Sequence, residues 1–411
     1  MKKISLLLLI CFMIPLSAYA YDDPFGDDPM DVIGARKPFG IEDRVFELGL
    51  LHFNGNFTNN FLSVSDVFSE TIVIDLDQLA DGFKFNLGVN FSPFHIKVDP
   101  KKGWGFGFGT SLEGVGILGL SGNMLSFSKA VDDKSDLSGA AFAAIDMTSF
   151  FSVQKFKVKI DPSFFWALAY LKPDISYTYD TSSGGTVLCL GYDVQVYTAV
   201  PMDGEFELTA KPGFDISVGV EYPLSKEIGL TSLFPFLDFD VGLDFVNIPV
   251  FSSRMEDYMR VRGQIGSKNA IDLDDIDGFL SSFDEDSEPV YGKKELRVYR
   301  PFKTLLWADW RPINGRKLLT IRPVFGFMVN DLYQDPVSLE IGINSHLNLV
   351  NLFHTRIGIN YTDRMWINSL DFALNLRAFE LNLGADLRSQ SFAKSWAGAG
   401  FGFNFGLKFG W

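Results

Sequence analysis

Residues 83–91 read FKFNLGVNF, in which Phe83, Phe85, Leu87, Val89 and Phe91 alternate with Lys84, Asn86, Gly88 and Asn90. A period of two puts every apolar side chain on one face of an extended strand and every polar or missing one on the other. The same code returns along the chain. Trp104, Phe106 and Phe108 alternate with Gly105, Gly107 and Gly109, and Phe156, Val158 and Ile160 alternate with Lys155, Lys157 and Lys159. Phe214 to Tyr222 alternates against Asp215, Ser217, Gly219 and Glu221, and Leu237 to Phe245 against Asp238, Asp240, Gly242 and Asp244. Phe353 to Tyr361 opposes His354, Arg356, Gly358 and Asn360, while Leu381 to Leu387 opposes Glu380, Asn382, Asp386 and Arg388. These stretches have roughly the 9 to 11 residues that cross a bilayer as a tilted strand. A soluble β-sandwich alternates too, but its central strands mix the two faces, and here the wet face is charged or glycine in segment after segment while the other is crowded with Phe. The expected fold class is all-β: a transmembrane antiparallel β-barrel of about 14 strands, with about 12 to 16 as the range for such barrels.

Composition agrees. The 411 residues are 47% hydrophobic and 15% aromatic, with 41 Phe and 38 Gly, which excludes a disordered chain. The first 20 residues hold two Lys and no acid, so without them 34 basic residues face 51 acidic ones, a net charge of −17. That balance argues against nucleic acid as a partner.

Met1 to Ala20 has a basic start at Lys2 and Lys3, an apolar stretch from Leu6 to Pro15, and Ala18-Tyr19-Ala20 as a small-residue cleavage pattern. This is the pattern of a secretory signal peptide, and the apolar stretch is shorter than the ~20 residues of a spanning helix. Cleavage after Ala20 leaves Cys189 as the one thiol, so no internal disulfide is expected. The domain reading is a signal peptide over 1–20, an N-terminal periplasmic or hatch segment over 21–82 and a barrel over 83–411. In the second of these, 21–40 is acidic and rich in Pro and Gly, and 68–83 fits a helical stripe as well as it fits a strand. A first strand preceded by a tail is the alternative for this segment.

Counting back from the C-terminus gives strands near 397–411, 379–388, 366–376, 353–361, 337–347, 317–330 and 303–310. Upstream strands are expected near 237–248, 206–222, 186–200, 164–179, 152–160, 139–150, 104–120 and 83–98. The total of about fifteen is odd, whereas single-chain bacterial barrels are even, which is why ~14 is preferred. With the last strand ending in the periplasm, the long segment 252–299 emerges outside.

Catalysis finds little support. Only His52, His95, His346 and His354 could act as a base, and Ser345 and His346, as strand neighbours, point to opposite faces. The acidic run Asp272 to Asp277 before Gly278 fails as a calcium loop, because Leu273 occupies the first ligand position and Asp284 the place of the bidentate Glu. The glycine spacings are not nucleotide loops, since none opens a helix after a strand. The expectation is a protein that is not an enzyme and has no cofactor or metal. The informative residues are those of the wet face, candidates to line the lumen: Lys84, Asn86, Asn90, Lys155, Lys157, Lys159, Asp238, Asp240, Asp244, His354, Arg356, Asn360, Glu380, Asn382, Asp386, Arg388 and Lys408. A filled, purely structural interior is the competing reading.

In the last eleven residues Phe401, Phe403, Phe405, Leu407, Phe409 and Trp411 alternate with glycine and polar residues. This resembles the C-terminal β-signal of bacterial outer-membrane barrels, with Trp in place of the usual terminal Phe. That resemblance implies insertion by the barrel-assembly machinery into outer-membrane lipid of a diderm bacterium. In chain length, Phe-rich wall and N-terminal segment, the mature chain is similar to the long-chain fatty-acid transporter family of barrels, although the family's Asn-Pro-Ala motif is absent. What this resemblance implies is uptake of a hydrophobic molecule past a displaced hatch and through a lateral opening in the wall; the leading expectation is a channel or transporter for passive uptake, with a small hydrophobic or polar solute as partner. Pro93, where the alternation switches from Phe91 to Phe94, is the expected kink or bulge. The alternative function is a surface adhesin or structural barrel acting through its loops, 252–299 above all.

Overall fold

The computed structural model describes residues 45–59, 83–98, 104–120, 136–180, 187–201, 208–266, 289–313, 318–333, 335–349, 352–376, 378–396 and 400–410. The signal peptide, residues 21–44 and 60–82, the acidic run 272–277, Asn314-Gly315 and Trp411 lie outside them.

The strands are β1 (Phe46–Asn59), β2 (Phe83–Val98), β3 (Trp104–Leu120), β4 (Asp136–Val153), β5 (Phe156–Asp180), β6 (Val187–Thr198), β7 (Gly213–Tyr222), β8 (Asp238–Phe251) and β9 (Ser253–Gly266). They continue with β10 (Val290–Val298), β11 (Phe302–Arg311), β12 (Leu319–Val329), β13 (Val337–Leu349), β14 (Phe353–Thr362), β15 (Met365–Asn375), β16 (Phe379–Ser389) and β17 (Gly400–Gly410). Three short helices, α1 (Leu224–Glu227), α2 (Leu230–Leu233) and α3 (Phe392–Trp396), sit in turns.

Fourteen strands close an antiparallel ring: β1 to β5, then β7, β8, and β11 to β17, with β17 returning to β1. Closure leaves no unpaired edge inside the ring, the condition for a sheet that spans lipid. The count of 14 is reached by a different route from the sequence. The expected strands 152–160 and 164–179 are one strand, β5; the strand near 186–200 is β6, outside the ring; and β1, the first strand of the alternative reading of 21–82, takes a place in it. Residues 46–59 are therefore not hatch but wall, hydrogen-bonded to β17 on one side and β2 on the other. The sequence signal was weak there because Leu51 interrupts the alternation.

Glu47 pairs with Gly410 at one rim, here the terminal rim, and Thr58 with Gly400 toward the other, the far rim. The turn holding α1 and α2 belongs to the terminal rim, since Asp238 pairs with Arg311 and Tyr222 with Val241. The β14–β15 hairpin belongs to the far rim. Its corner, Asp363 at φ 49° and Arg364 at φ 63°, is the left-handed pair a tight hairpin requires.

The outer face is apolar and open: Phe325 is 58% exposed, Ile357 55% and Leu306 54%. Aromatic rings crowd both ends of this band. Phe156 meets Tyr222 and Phe379 meets Phe409 at the terminal rim, while Phe57 meets Phe85 and Phe401, and Trp366 meets Tyr361 and Phe392, at the far rim. Two aromatic girdles flanking an apolar belt match the two headgroup regions of a bilayer. Phe401, Phe403 and Phe409 face outward and exposed in this belt, with Phe405 and Leu407 partly covered beside them.

The irregularity foreseen at Pro93 is a bulge: β2 and β3 slip register between Phe91 and Phe94. β1 carries a matching extra residue against β17, with Leu51 at φ 54°.

The segment 252–299 is not a plain loop. β8 runs on into β9, β10 returns to β11, and β9 pairs with β6, which pairs with the outer half of β5. Together they raise a four-stranded extension beyond the far rim.

Candidate functional site

The inner face divides along the barrel axis. Toward the far rim the inward positions of β3, β4 and β5 are apolar, whereas Asn56, Thr58, Asn86, Glu340, Thr362 and Arg388 line the same end on β1, β2, β13, β14 and β16. Val115 and Ile117 of β3, Ala140, Phe142 and Ala144 of β4, and Phe165, Ala167 and Tyr170 of β5 form one cluster with Met255, Val298, Leu332 and Tyr333. Leu332 and Tyr333 come from the β12–β13 turn, which stands nearly opposite β3 and β4 in the ring. The cluster therefore spans the mouth rather than coating one wall. Ser138 Oγ of β4 donates across it to the Leu332 carbonyl at 2.8 Å, and the Phe142 and Phe165 rings meet edge to face at 6.0 Å.

Below this seal lies a charge cluster. Arg300, at the corner between β10 and β11, donates to both carboxylate oxygens of Asp215 on β7 at 2.8 and 2.7 Å. Glu113 of β3 lies 3.5 Å and Asp146 of β4 3.8 Å from the same guanidinium, whose carbon sits 5.3 Å from the Phe165 ring centre.

Toward the terminal rim the lumen is polar and closely paired. Arg322 of β12 binds Asp309 of β11 at 2.5 and 2.7 Å and lies 4.1 Å over the Trp307 ring, whose Nε1 donates to Asp244 at 2.5 Å. Arg356 binds Asp371 at 2.7 Å, and Asn404 donates to the other oxygen of that carboxylate at 2.7 Å. The amides of Asn344 and Asn360 bond reciprocally, and the His346 and His354 rings stack with Nε2 and Nδ1 3.0 Å apart. Glycine makes room for these long neighbours. A Cβ at Gly242 would stand 2.1 Å from the Trp307 ring, so the inner glycine admits the indole.

Most of the expected lumen residues occupy this inner wall. Asn86, Lys159, Asp240, Asp244, His354, Arg356, Asn360, Glu380, Asn382, Asp386, Arg388 and Lys408 are all buried within it. Asn90 is half-buried, opposite Glu113. Lys84 lies on β2, but its side chain is outside the described set. Asp238 stands at the terminal rim beside Arg311, and Lys157 is exposed there, bound to Glu221 at 2.5 Å. Lys155 departs from expectation. It belongs to the β4–β5 turn, is largely exposed, and binds Glu227 of α1, a contact that raises its pKa. The alternation of the β5 lysines starts one residue before the strand, which is why the pattern overreached.

The sequence reading missed the seal and its charge cluster. A signal was present: residues 139–145 (GAAFAAI) and 164–171 (FFWALAYL) are apolar at both parities, the mark of a strand buried on both faces. Arg300 sits in a corner, where no periodicity reports direction.

At the far-rim hairpin, Asp363 is buried and its backbone N–H donates to Glu340 at 3.1 Å. Burial, with Glu340 beside it, pushes its carboxyl up to about 6. Among the described residues there is no group of three or more His, Cys, Asp or Glu placed to hold a metal ion.

No protein-family model and no curated protein matches the sequence. Among solved structures, the Pseudomonas putida toluene transporter TodX is 9% identical with a TM-score of 0.47, covering 97% of this chain and 96% of that one. A Pseudomonas aeruginosa FadL homologue is 9% identical with a TM-score of 0.49, covering 96% of each chain. The translocator domain of autotransporter NalP from Neisseria meningitidis is 6% identical with a TM-score of 0.36 over 91% of each. By its own pairing and faces, the chain is a closed 14-stranded antiparallel β-barrel with an apolar outer wall, an apolar cluster that reaches across one mouth from β3–β5 to the β12–β13 turn, and a paired polar lumen.

Proposed function

We propose that the protein is an outer-membrane channel for passive uptake of small molecules, hydrophobic ones included. The far rim faces the exterior and the terminal rim the periplasm. The observation that carries this reading is the seal. A general aqueous pore needs a wetted mouth, whereas an apolar plug excludes water and ions and dissolves apolar solutes. The polar lumen beyond it stabilises neither free ions nor bulk water as it stands, because its charges already pair with one another. Passage therefore proceeds by exchange of side-chain contacts, not through a standing hole. The likeness to solved barrels supports the fold alone.

The test is to reconstitute the mature chain in planar bilayers and in liposomes, alongside a variant lacking 21–44 that keeps β1. The expected result is low ion conductance with protein-dependent entry of an apolar fluorescent solute. If both forms insert and neither admits the solute, the channel reading falls. The extension of β5, β6, β9 and β10 favours a second reading, a surface-interaction protein. Replacing residues 262–291 with a short turn abolishes partner binding under that reading and leaves solute entry intact under the first.

A further inference from the structure

We infer that this lumen admits apolar molecules that are uncharged or carry a cationic head in preference to those that carry a carboxylate; the inference rests on the channel reading. The apolar seal ends directly on the charge cluster, since Phe165 belongs to the first and lies against Arg300 of the second. A solute leaving the seal thus meets that cluster next. It contains three carboxylates, Glu113, Asp146 and Asp215, and one guanidinium.

Which sign the solute meets is decided by burial. The Arg300 side chain is 5% exposed, covered on one side by the Phe165 ring and bound on another by both oxygens of Asp215. The side chain of Asp146 is 35% exposed and that of Glu113 16%. The guanidinium is therefore committed, and the most accessible charged group of the cluster is the carboxylate of Asp146. Asp146 accepts a hydrogen bond from Ser111 Oγ at 3.3 Å, which neutralises nothing.

A second observation points to a ligand group. Asp146, Ser163 and Asp215 stand in one cross-strand row, because Ser163 pairs with Asp146 on β4 and with Asp215 on β7. Ser163 is 2% exposed on this inner face, and its Oγ has no hydrogen-bond partner among the described residues. A buried hydroxyl without a partner, between two carboxylates, is a place for a polar hydrogen-bonding head such as a hydroxyl or ammonium. A carboxylate placed there would face the Asp146 charge in a poorly hydrated site, with the Arg300 guanidinium already bound by Asp215.

The test uses three ten-carbon probes that differ only in the head: decanol, decylamine and decanoate. Each is titrated at pH 7.5 against the full mature chain in a nonionic maltoside, with tryptophan fluorescence and calorimetry as readouts. Decanol and decylammonium are expected to bind about tenfold or more tightly than decanoate, each tenfold being one decade of Kd. In a Glu113→Gln/Asp146→Asn variant that still folds by circular dichroism, that ratio should fall below about threefold. Equal or tighter binding of decanoate by the unaltered chain overturns the inference while leaving the channel reading standing. Failure of all three probes to bind overturns both. The head-group series needs no variant, so a misfolded double mutant does not remove the test.

Discussion

The hydroxyl of Ser138 on β4 donates to the carbonyl of Leu332 in the β12–β13 turn at 2.8 Å, tying opposite sides of the barrel mouth to each other. Neither residue is remarkable in sequence, but the bond closes an apolar cluster over the lumen. Leu332→Asp places a charge in that cluster and hydrates it, and ion conductance in planar bilayers should then rise about tenfold or more, the loss of a dewetted barrier of about 1.4 kcal/mol or greater. Unchanged conductance would show that the seal lies elsewhere.

Phe142 and Phe165 are both nearly inaccessible and meet edge to face. Phe142→Ala removes one ring from a packed site and should cost roughly 3–5 kcal/mol, read as a lower urea midpoint for the protein in micelles. A loss below about 1 kcal/mol would mean the cluster is loosely filled.

Asp363 gives the far rim a pH dependence. Its carboxyl is raised from 3.8 to about 6 in the folded protein, so the folded state holds the proton more tightly than the unfolded chain does. Its stabilising contribution is complete below about pH 3.8 and is lost as pH rises through about 6. Amide exchange in the β14–β15 hairpin should quicken across that window. Asp363→Asn keeps the left-handed corner, which Asn tolerates, and should flatten the profile. A wild-type profile already flat between pH 4 and 7 would count against the assignment.

Trp307 fills the space left at Gly242, binds Asp244 and stacks under Arg322. Trp307→Phe keeps the ring and removes the N–H donor to a buried carboxylate, so a loss of about 1.5–3 kcal/mol is expected. Gly242→Ala should shift the Trp307 emission, because the added methyl and the indole claim one volume. An unshifted spectrum would place the indole elsewhere.

Deleting residues 21–44 and deleting 21–82 should have opposite effects on assembly. The shorter deletion spares β1, and a heat-modifiable folded band should persist on a gel. The longer one takes β1 away and exposes the edges of β2 and β17, so closure should fail. Folding of the longer deletion would mean that the ring closes β2 directly on β17.

How far the sequence could be read depended on how each strand meets its surroundings. From β11 to β17 one face meets an apolar medium and the other a polar interior, so alternation located every strand to within a few residues. At β4 and β5 the inner face meets the apolar seal. Both parities are then apolar, and Phe142, Phe165 and Ala167 carried no mark of direction. β1 was obscured because the extra residue at Leu51 shifts the parity halfway along the strand. Lys155 was assigned to the lumen because a period extends into a turn without changing letter.

Alternation and the Phe-rich band by themselves pointed to an all-β chain with a greasy face and a wet one, since two solvents on two faces leave a periodic trace in each strand that separates them. The tertiary structure decided what fills the barrel: that Leu332 reaches Ser138, that Arg300 is held by Asp215, and that a four-stranded extension stands on the far rim. The first of those contacts crosses the ring, and the other two join segments that are far apart in the chain but close around the wall. No local pattern encodes them, because their partners become neighbours only when the strands have paired around the barrel.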